Sequence, residues 1–185
     1  MYIRPEVITC KNGKEYCLRS IVPEDTEQYV DFMYRVSSDT HFMMRNGDEV
    51  GTDEEAVEQQ RKIIEDFAKD DKQGMMPVLD GDRIIGNIAV RGNGKHRKTA
   101  HRCSIGIGVR KEYQGLGIGS ILMEHALDFA KNAGYEVMEL GVFSDNEPAL
   151  ALYKKMGFIE WGRMPDAFRL DDGTSLDEIT MYKKL

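Results

Sequence analysis

Cysteine is scarce: Cys10, Cys17 and Cys103 are the only three, and none forms a CxxC pair. An odd, scattered set argues against a disulfide framework or a cysteine zinc site and suits reduced, buried or half-buried thiols. Positive charge is also short. Lys and Arg number 25 against 32 Asp and Glu, a net charge of −7. That balance argues against a general nucleic-acid binder, whose affinity rests on a broad basic face. It is permissive of cationic substrates. No window approaches the ~20 apolar residues of a membrane span. The opening MYIRPEVITCKNGKEYC carries charges throughout and has no apolar stretch of signal-peptide length, so a cytoplasmic protein without a membrane partner is expected. Repeats and low-complexity tracts are lacking too, and residues 1–185 read as one domain. With 41% hydrophobic and 31% charged residues, the chain can bury a core without a metal or disulfide staple.

What is present alternates between short apolar runs and amphipathic stretches. Glu15 to Ile21 reads as a strand stopped by Pro23. The acids Glu24, Asp25 and Glu27 suit the positive end of a helix running to about Ser37. His41 to Gly51 reads as a loop. Thr52 with Glu55 forms a capping box for a helix to about Lys69. Met75–Leu79 and Arg83–Arg91 flank Asp80-Gly81-Asp82, a strong hairpin signal. A basic loop leads to a strand over about Ala100 to Val109, and a helix follows from about Gly117 to Asn132 with Gly134 as its stop. Val137–Phe143 is a further strand, Pro148 opens a short helix ending near Met156, and Gly157–Met164 and Ser175–Lys183 close the chain as strands. The class is mixed α/β, antiparallel in its first half, with a strand–helix–strand crossover in its second.

The segment Ile105 to Gly119, IGIGVRKEYQGLGIG, carries the chemistry. A strand ends, a few polar residues turn the chain, and three glycines at alternate positions open a helix. Glycine lets the backbone approach a ligand, and helix-start N–H groups lack intrahelical partners at the positive end of the macrodipole. Together they make a phosphate cradle. A P-loop needs a Lys-Ser or Lys-Thr that does not follow here, and a dinucleotide fingerprint needs a third glycine where Ser120 stands. A pyrophosphate held by Gly115, Leu116, Gly117, Ile118, Gly119 and Ser120 is the remaining reading.

Gln114, Gly117 and Gly119 fill the pattern (Gln/Arg)-x-x-Gly-x-(Gly/Ala), and Asn146 to Phe158 fill Asn-x-x-Ala-x-x-x-Tyr-x-x-x-Gly-Phe through Asn146, Ala149, Tyr153, Gly157 and Phe158. On these two signatures, one helix and one strand apart, the sequence resembles the GCN5-related N-acetyltransferases (GNAT). Leu18-Arg19 followed by Asp25 is also a common start in that family. The likeness covers about Tyr16 to Tyr182, with a motif core at about 100–160. It implies the acyl-CoA N-acyltransferase fold: a mixed, mostly antiparallel twisted sheet of about seven strands flanked by about four helices, with splayed central strands. It implies acetyl-CoA as co-substrate, no metal, and a small-molecule primary amine as acceptor. A protein N-terminus or lysine is the alternative acceptor. A non-catalytic acyl-CoA-binding or sensing module is the alternative of another class, and a homodimer stays open.

Carried over by position, the resemblance implies that main-chain groups of Ile107, Gly108 and Val109 pair with the pantetheine amides like an added strand. Gln114 to Ser120 hold the pyrophosphate. Asn146 and Ala149 meet the pantetheine arm, and Tyr153 protonates the departing thiolate as general acid. Many members carry a glutamate near positions 103 and 104, where this chain has Cys103 and Ser104. Glu139 on the neighbouring strand is then the candidate base, with Asp145 and His101 behind it. A mechanism without a base also remains open. Arg91, Lys95, Arg97, Lys98 and Arg102 form a basic cluster that reads first as a solvated loop. Arg110 and Lys111 are better placed for the CoA 3′-phosphate. The first two helices and the final hairpin, through Tyr29, Met33, Phe42 and Phe168, are expected to wall the acceptor.

Overall fold

Asp80 pairs with Arg83 across a two-residue loop, and Gly81 supplies the positive φ of 59° that such a tight hairpin demands. This turn joins β3 (Gly74–Asp80) to β4 (Arg83–Gly92), the centre of the sheet. The computed structural model describes residues 2–94 and 96–185, so Lys95 of the basic cluster lies outside the described residues. Ahead of the hairpin lie β1 (Glu6–Thr9), β2 (Glu15–Leu18), α1 (Thr26–Asp39) and α2 (Glu54–Lys69). After it come β5 (Arg102–Val109), α3 (Ile118–Asn132), β6 (Val137–Phe143), α4 (Glu147–Lys155), β7 (Ile159–Arg169) and β8 (Ser175–Lys184). The sheet has eight strands in the order β1-β2-β3-β4-β5-β6-β8-β7. Every neighbouring pair is antiparallel except β5 with β6.

The eight strands fit the expected mixed, mostly antiparallel sheet of about seven, with β1 added as a four-residue edge strand in which only Ile8 is buried. Two local expectations are corrected. The cap of α2 is Asp53, not Thr52: Asp53 Oδ1 accepts the Ala56 N–H at 2.8 Å. β7 runs five residues past Met164 by absorbing a bulge, with its register shifting between Met164 and Phe168. Asp166 sits there at φ 50°, and its N–H donates to Asp177 Oδ1 at 3.2 Å. Such a bulge re-aims the side chains beyond it. Here the next inward one is Phe168.

The two sheet faces carry different helices. Leu122, Met123, Ala126, Phe129 and Ala130 of α3 pack with Met76, Val78, Ile88 and Val90. Tyr29, Phe32 and Val36 of α1 join Ile64 and Phe67 of α2 over Met75, Leu79 and Ile84 on the opposite face. Leu122 and Ile64 are fully buried, and each such side chain contributes about 1.5–3 kcal/mol. The Arg19 guanidinium grips Asp25 with two bonds of 2.6 and 2.7 Å, and Asp25 also accepts the Val22 N–H, pinning the entry to α1. No described helix is long and apolar enough to cross a membrane. Among the described residues no group of three or more His, Cys, Asp or Glu could hold a metal ion.

Candidate functional site

β5 and β6 pair only through Arg102↔Val137, Cys103↔Met138 and Ser104↔Glu139. Beyond Glu139, β6 continues with β8 alone, while β5 stays paired to β4 as far as Val109↔Gly86. The sheet therefore splits from the level of Ile105 onward. In an antiparallel ladder alternate residues turn their backbone groups to opposite edges. Arg110 N–H donates to Ile85 O, so Gly108 likewise faces β4, while Ile107 and Val109 face the split. Of the three strand residues expected to offer main-chain groups, Ile107 and Val109 do so and Gly108 does not. Val109 O already accepts from Gln114 Nε2 at 3.2 Å. Gly108 instead leaves room on the other face, where a Cβ would sit 3.4 Å from Phe32.

The split opens into a cleft of about 750 Å³ lined from both faces of the sheet. Its lining includes Ile118, Leu152 and Tyr153 on the α3 face and Tyr29, Met33 and Phe42 on the α1 face. At one end is the glycine corner. Gly115 and Gly117 adopt φ of 78° and 91°, the left-handed region in which a side chain is strained. Lys11 N–H donates to Leu116 O at 3.0 Å, tying the corner to the β1–β2 hairpin. Ser120 N–H is spent on Gly117 O at 3.0 Å, which corrects the expectation that it faces a ligand. No N–H from Gly115 to Gly119 donates to a carbonyl among the described residues, so five successive donors remain at a helix start. That is what an anionic diphosphate needs. Leu116 and Ser120 do not line the cleft; Gln114, Gly115, Gly117, Ile118 and Gly119 do.

Asn146 is the N-cap of α4, its Oδ1 accepting the Ala149 N–H at 3.2 Å, and both residues line the cleft. Tyr153, one turn further along α4, is 6% exposed with its ring 6.0 Å from that of Phe158. Its hydroxyl has no protein hydrogen bond among the described residues, and burial pushes its pKa up to about 12. On the α1 face, Tyr29, Met33, Phe42 and Phe168 all line the cleft. Phe168 stacks on Phe143 at 3.7 Å, and Phe42 meets Phe143 edge-on at 6.1 Å. Cys103 is fully buried in the core and its thiol is pushed up to about 12, chiefly by burial, whereas Ser104 lines the cleft.

Two expected roles do not survive the geometry. Glu139 lies at the closed end of the split and outside the cleft lining, with both carboxylate oxygens held by the Arg102 guanidinium. It is therefore not presented to a reacting amine. Arg110 is 1% exposed and donates to Ile84 O at 2.7 Å and Asp31 Oδ2 at 2.6 Å. It props up the end of β5, so the cations beside the corner are Lys111, which lines the cleft, and Lys11, whose side chain lies along Gly117. The basic cluster is likewise dispersed: Arg91 stacks on Phe67 at 4.8 Å, and Arg102 pairs with Glu139. Asp145 pairs with His41 at 2.8 Å.

Among the cleft residues that sequence reasoning passed over are Asn87 and Glu178. Asn87 is buried with Oδ1 unpartnered, and its signal was a polar residue interrupting the apolar run IIGNIAV. Glu178 alternates with buried Ile179 and Met181 on a strand and reads as solvent-facing until β8 is paired with β6.

A split parallel pair, a glycine corner with free donors and a buried tyrosine on the following short helix thus meet at one cleft. Residues 30–158 match the acetyltransferase (GNAT) family, to which the chain belongs. N-alpha-acetyltransferase 30 of Schizosaccharomyces pombe is 36% identical over 100 residues, 50% of this chain and 66% of that protein. The L-amino acid N-acetyltransferase AaaT of Escherichia coli is 32% identical over 85 residues, 45% of this chain and 51% of that protein. The chain thus spans less than two thirds of the length of these relatives. The crystal structure of a GNAT-family acetyltransferase from Streptococcus pneumoniae superposes with a TM-score of 0.84 at 26% identity, covering 91% of this chain and 98% of that one.

Proposed function

We propose that the protein transfers an acetyl group from acetyl-CoA to a primary amine of a small molecule. The observation that carries this reading is the cleft at the strand split, whose lining brings the free N–H donors of Gly115, Gly117, Ile118 and Gly119 together with Tyr153 and the aromatic cluster of Phe42, Phe143 and Phe168. The donor residues suit CoA. The amides of Gly115, Gly117, Ile118 and Gly119 suit a diphosphate, Ile107 and Val109 offer strand edges to the two pantetheine amides, and Asn146 and Ala149 lie alongside. Bound acetyl-CoA supplies an activated acyl group. The chain's part is to orient it, exclude water and hold a proton near the sulfur.

Tyr153 holds that proton. With its pKa pushed up to about 12, the phenol is a weaker acid than a thiol of about 8.5. It acts by donating a hydrogen bond to the sulfur as charge develops there, and stays protonated throughout the neutral range. The acceptor amine must lose its own proton, so the rate should climb with pH as the free amine accumulates. It should not fall below about pH 10, because Tyr153 does not ionise there. A pH–rate profile checks this. A descending limb near pH 8–9 in a protein that remains folded would remove Tyr153 from the role.

The reading is tested by following thiol release from acetyl-CoA over polyamines, amino acids, aminoglycosides and peptides, with mass spectrometry to locate the acetyl group. No turnover on any class by folded protein would overturn it. If CoA still binds in calorimetry, the chain is a sensing module. The similarity to N-alpha-acetyltransferase 30 supports a peptide N-terminus as the second reading of the acceptor, and the peptide arm of the screen decides.

A further inference from the structure

The cleft contains hydrogen-bond acceptors that the protein itself leaves unanswered. Glu178 reaches its half-buried carboxylate from β8 over Gly141 of β6, where a Cβ would lie 2.0 Å from Oε1. The absence of a side chain at Gly141 is what gives the carboxylate its place. Glu178 has no hydrogen bond or ion pair among the described residues. Gly141 is the first residue on its face of β6 past the last β5–β6 pair, so this carboxylate stands where the strands part. Across the split, Asn87 on β4 is 4% exposed, lines the same cleft, and has an unpartnered Oδ1. Leaving buried polar atoms unpaired is unfavourable, and a ligand rich in N–H donors answers both. The surroundings suit a cation on an apolar body: Phe168 stacked on Phe143, with Phe42 edge-on, offers aromatic surface beside the carboxylate. The other charged side chains of the lining are Asp39, Lys111 beside the glycine corner, and Arg91, whose guanidinium lies over Phe67.

We propose that Glu178 is the specificity-determining residue of the acceptor subsite, holding a primary ammonium carried on an apolar or aromatic chain and rejecting amines with a carboxylate on the adjacent carbon. The proposal rests on the acetyl-transfer reading and names its substrate class. Glu178 ion-pairs the ammonium, the phenylalanine cluster receives the carbons behind it, and Asn87 Oδ1 is the acceptor on the opposite bank. An α-carboxylate would be brought beside Glu178, where like charges repel.

The test is calorimetry on the full chain saturated with CoA, titrated with 2-phenylethylamine, phenylalaninamide and phenylalanine. These share a ring and an ammonium and differ in carrying nothing, a neutral amide or a carboxylate on the adjacent carbon. The first two should bind at least ~10-fold more tightly than phenylalanine. Glu178→Gln should bring the three within about twofold of one another while CoA affinity stays as it was. Gly141→Ala, which pushes the carboxylate aside from the opposite strand, should erode the same preference. The ranking in the unaltered protein needs no variant to fold. Three results would overturn the proposal while CoA still binds: phenylalanine binding as well as 2-phenylethylamine, phenylalaninamide as poor as phenylalanine, or no binding by any of the three. A preference that survives Glu178→Gln would do so as well. Failure of CoA itself to bind would instead bring down the acetyl-transfer reading on which the subsite depends.

Discussion

Tyr153→Phe is expected to lower the turnover number ~10²-fold or more and leave the dissociation constant for CoA nearly unchanged. The substitution removes only the hydroxyl. The ring is 6% exposed and packs 6.0 Å from Phe158, contacts that phenylalanine reproduces. Unfolding measurements should therefore barely distinguish the variant from the parent, because the lost hydroxyl has no protein partner among the described residues. Thiol-release kinetics on an acceptor identified by the screen, paired with calorimetry, measure the two quantities separately. Unimpaired turnover would leave the departing sulfur without this donor, and an equal loss in CoA affinity would make Tyr153 a binding residue.

Arg110→Ala is expected to cost about 3 kcal/mol of stability, lowering the melting temperature by roughly 6–12 °C. The side chain is 1% exposed, and its removal strands the Ile84 carbonyl and leaves a cavity over Phe32, whose ring centre lies 5.8 Å from the guanidinium carbon. Asp31 loses its closer partner too, keeping Arg35 at 3.6 Å. Burial acts to raise that carboxyl, but hydrogen bonding and charge from Arg110, with help from Arg35, hold it below the usual range. A depressed carboxylate stabilises the fold above its unfolded value and loses that contribution as pH falls. The difference between parent and variant should thus narrow below about pH 4 in denaturant titrations. A variant as stable as the parent at neutral pH would show the buried guanidinium to be replaceable.

Features of local origin could be read from the chain. The Asp80–Arg83 hairpin, the corner between β5 and α3, and the Pro148 helix depend on neighbours a few residues apart, and each lies where the residues predict. The cap of α2 was misread by one position because Thr52 and Asp53 are both good capping residues, and only the built helix shows which oxygen meets Ala56. Long-range pairings were hidden. Arg102 and Glu139 meet because two strands with a helix between them lie in parallel register, so neither residue alone tells that the carboxylate is spent. Arg110 looked like a phosphate ligand beside the corner. A buried arginine depends on the Ile84 carbonyl and Asp31, 26 and 79 residues away. Glu178 drew no notice for the same reason, since the strand that carries it across Gly141 lies far along the chain.

The cleft at the split between β5 and β6 is lined by residues from both broad faces of the sheet, so it has walls for two reactants at once. On the proposed acetyl-transfer reading, acetyl-CoA and the amine would occupy different walls of that cleft, and neither would have to depart before the other binds. Such a layout favours a ternary complex. Initial velocities measured against one reactant at several fixed levels of the other should then give reciprocal plots that converge rather than run parallel.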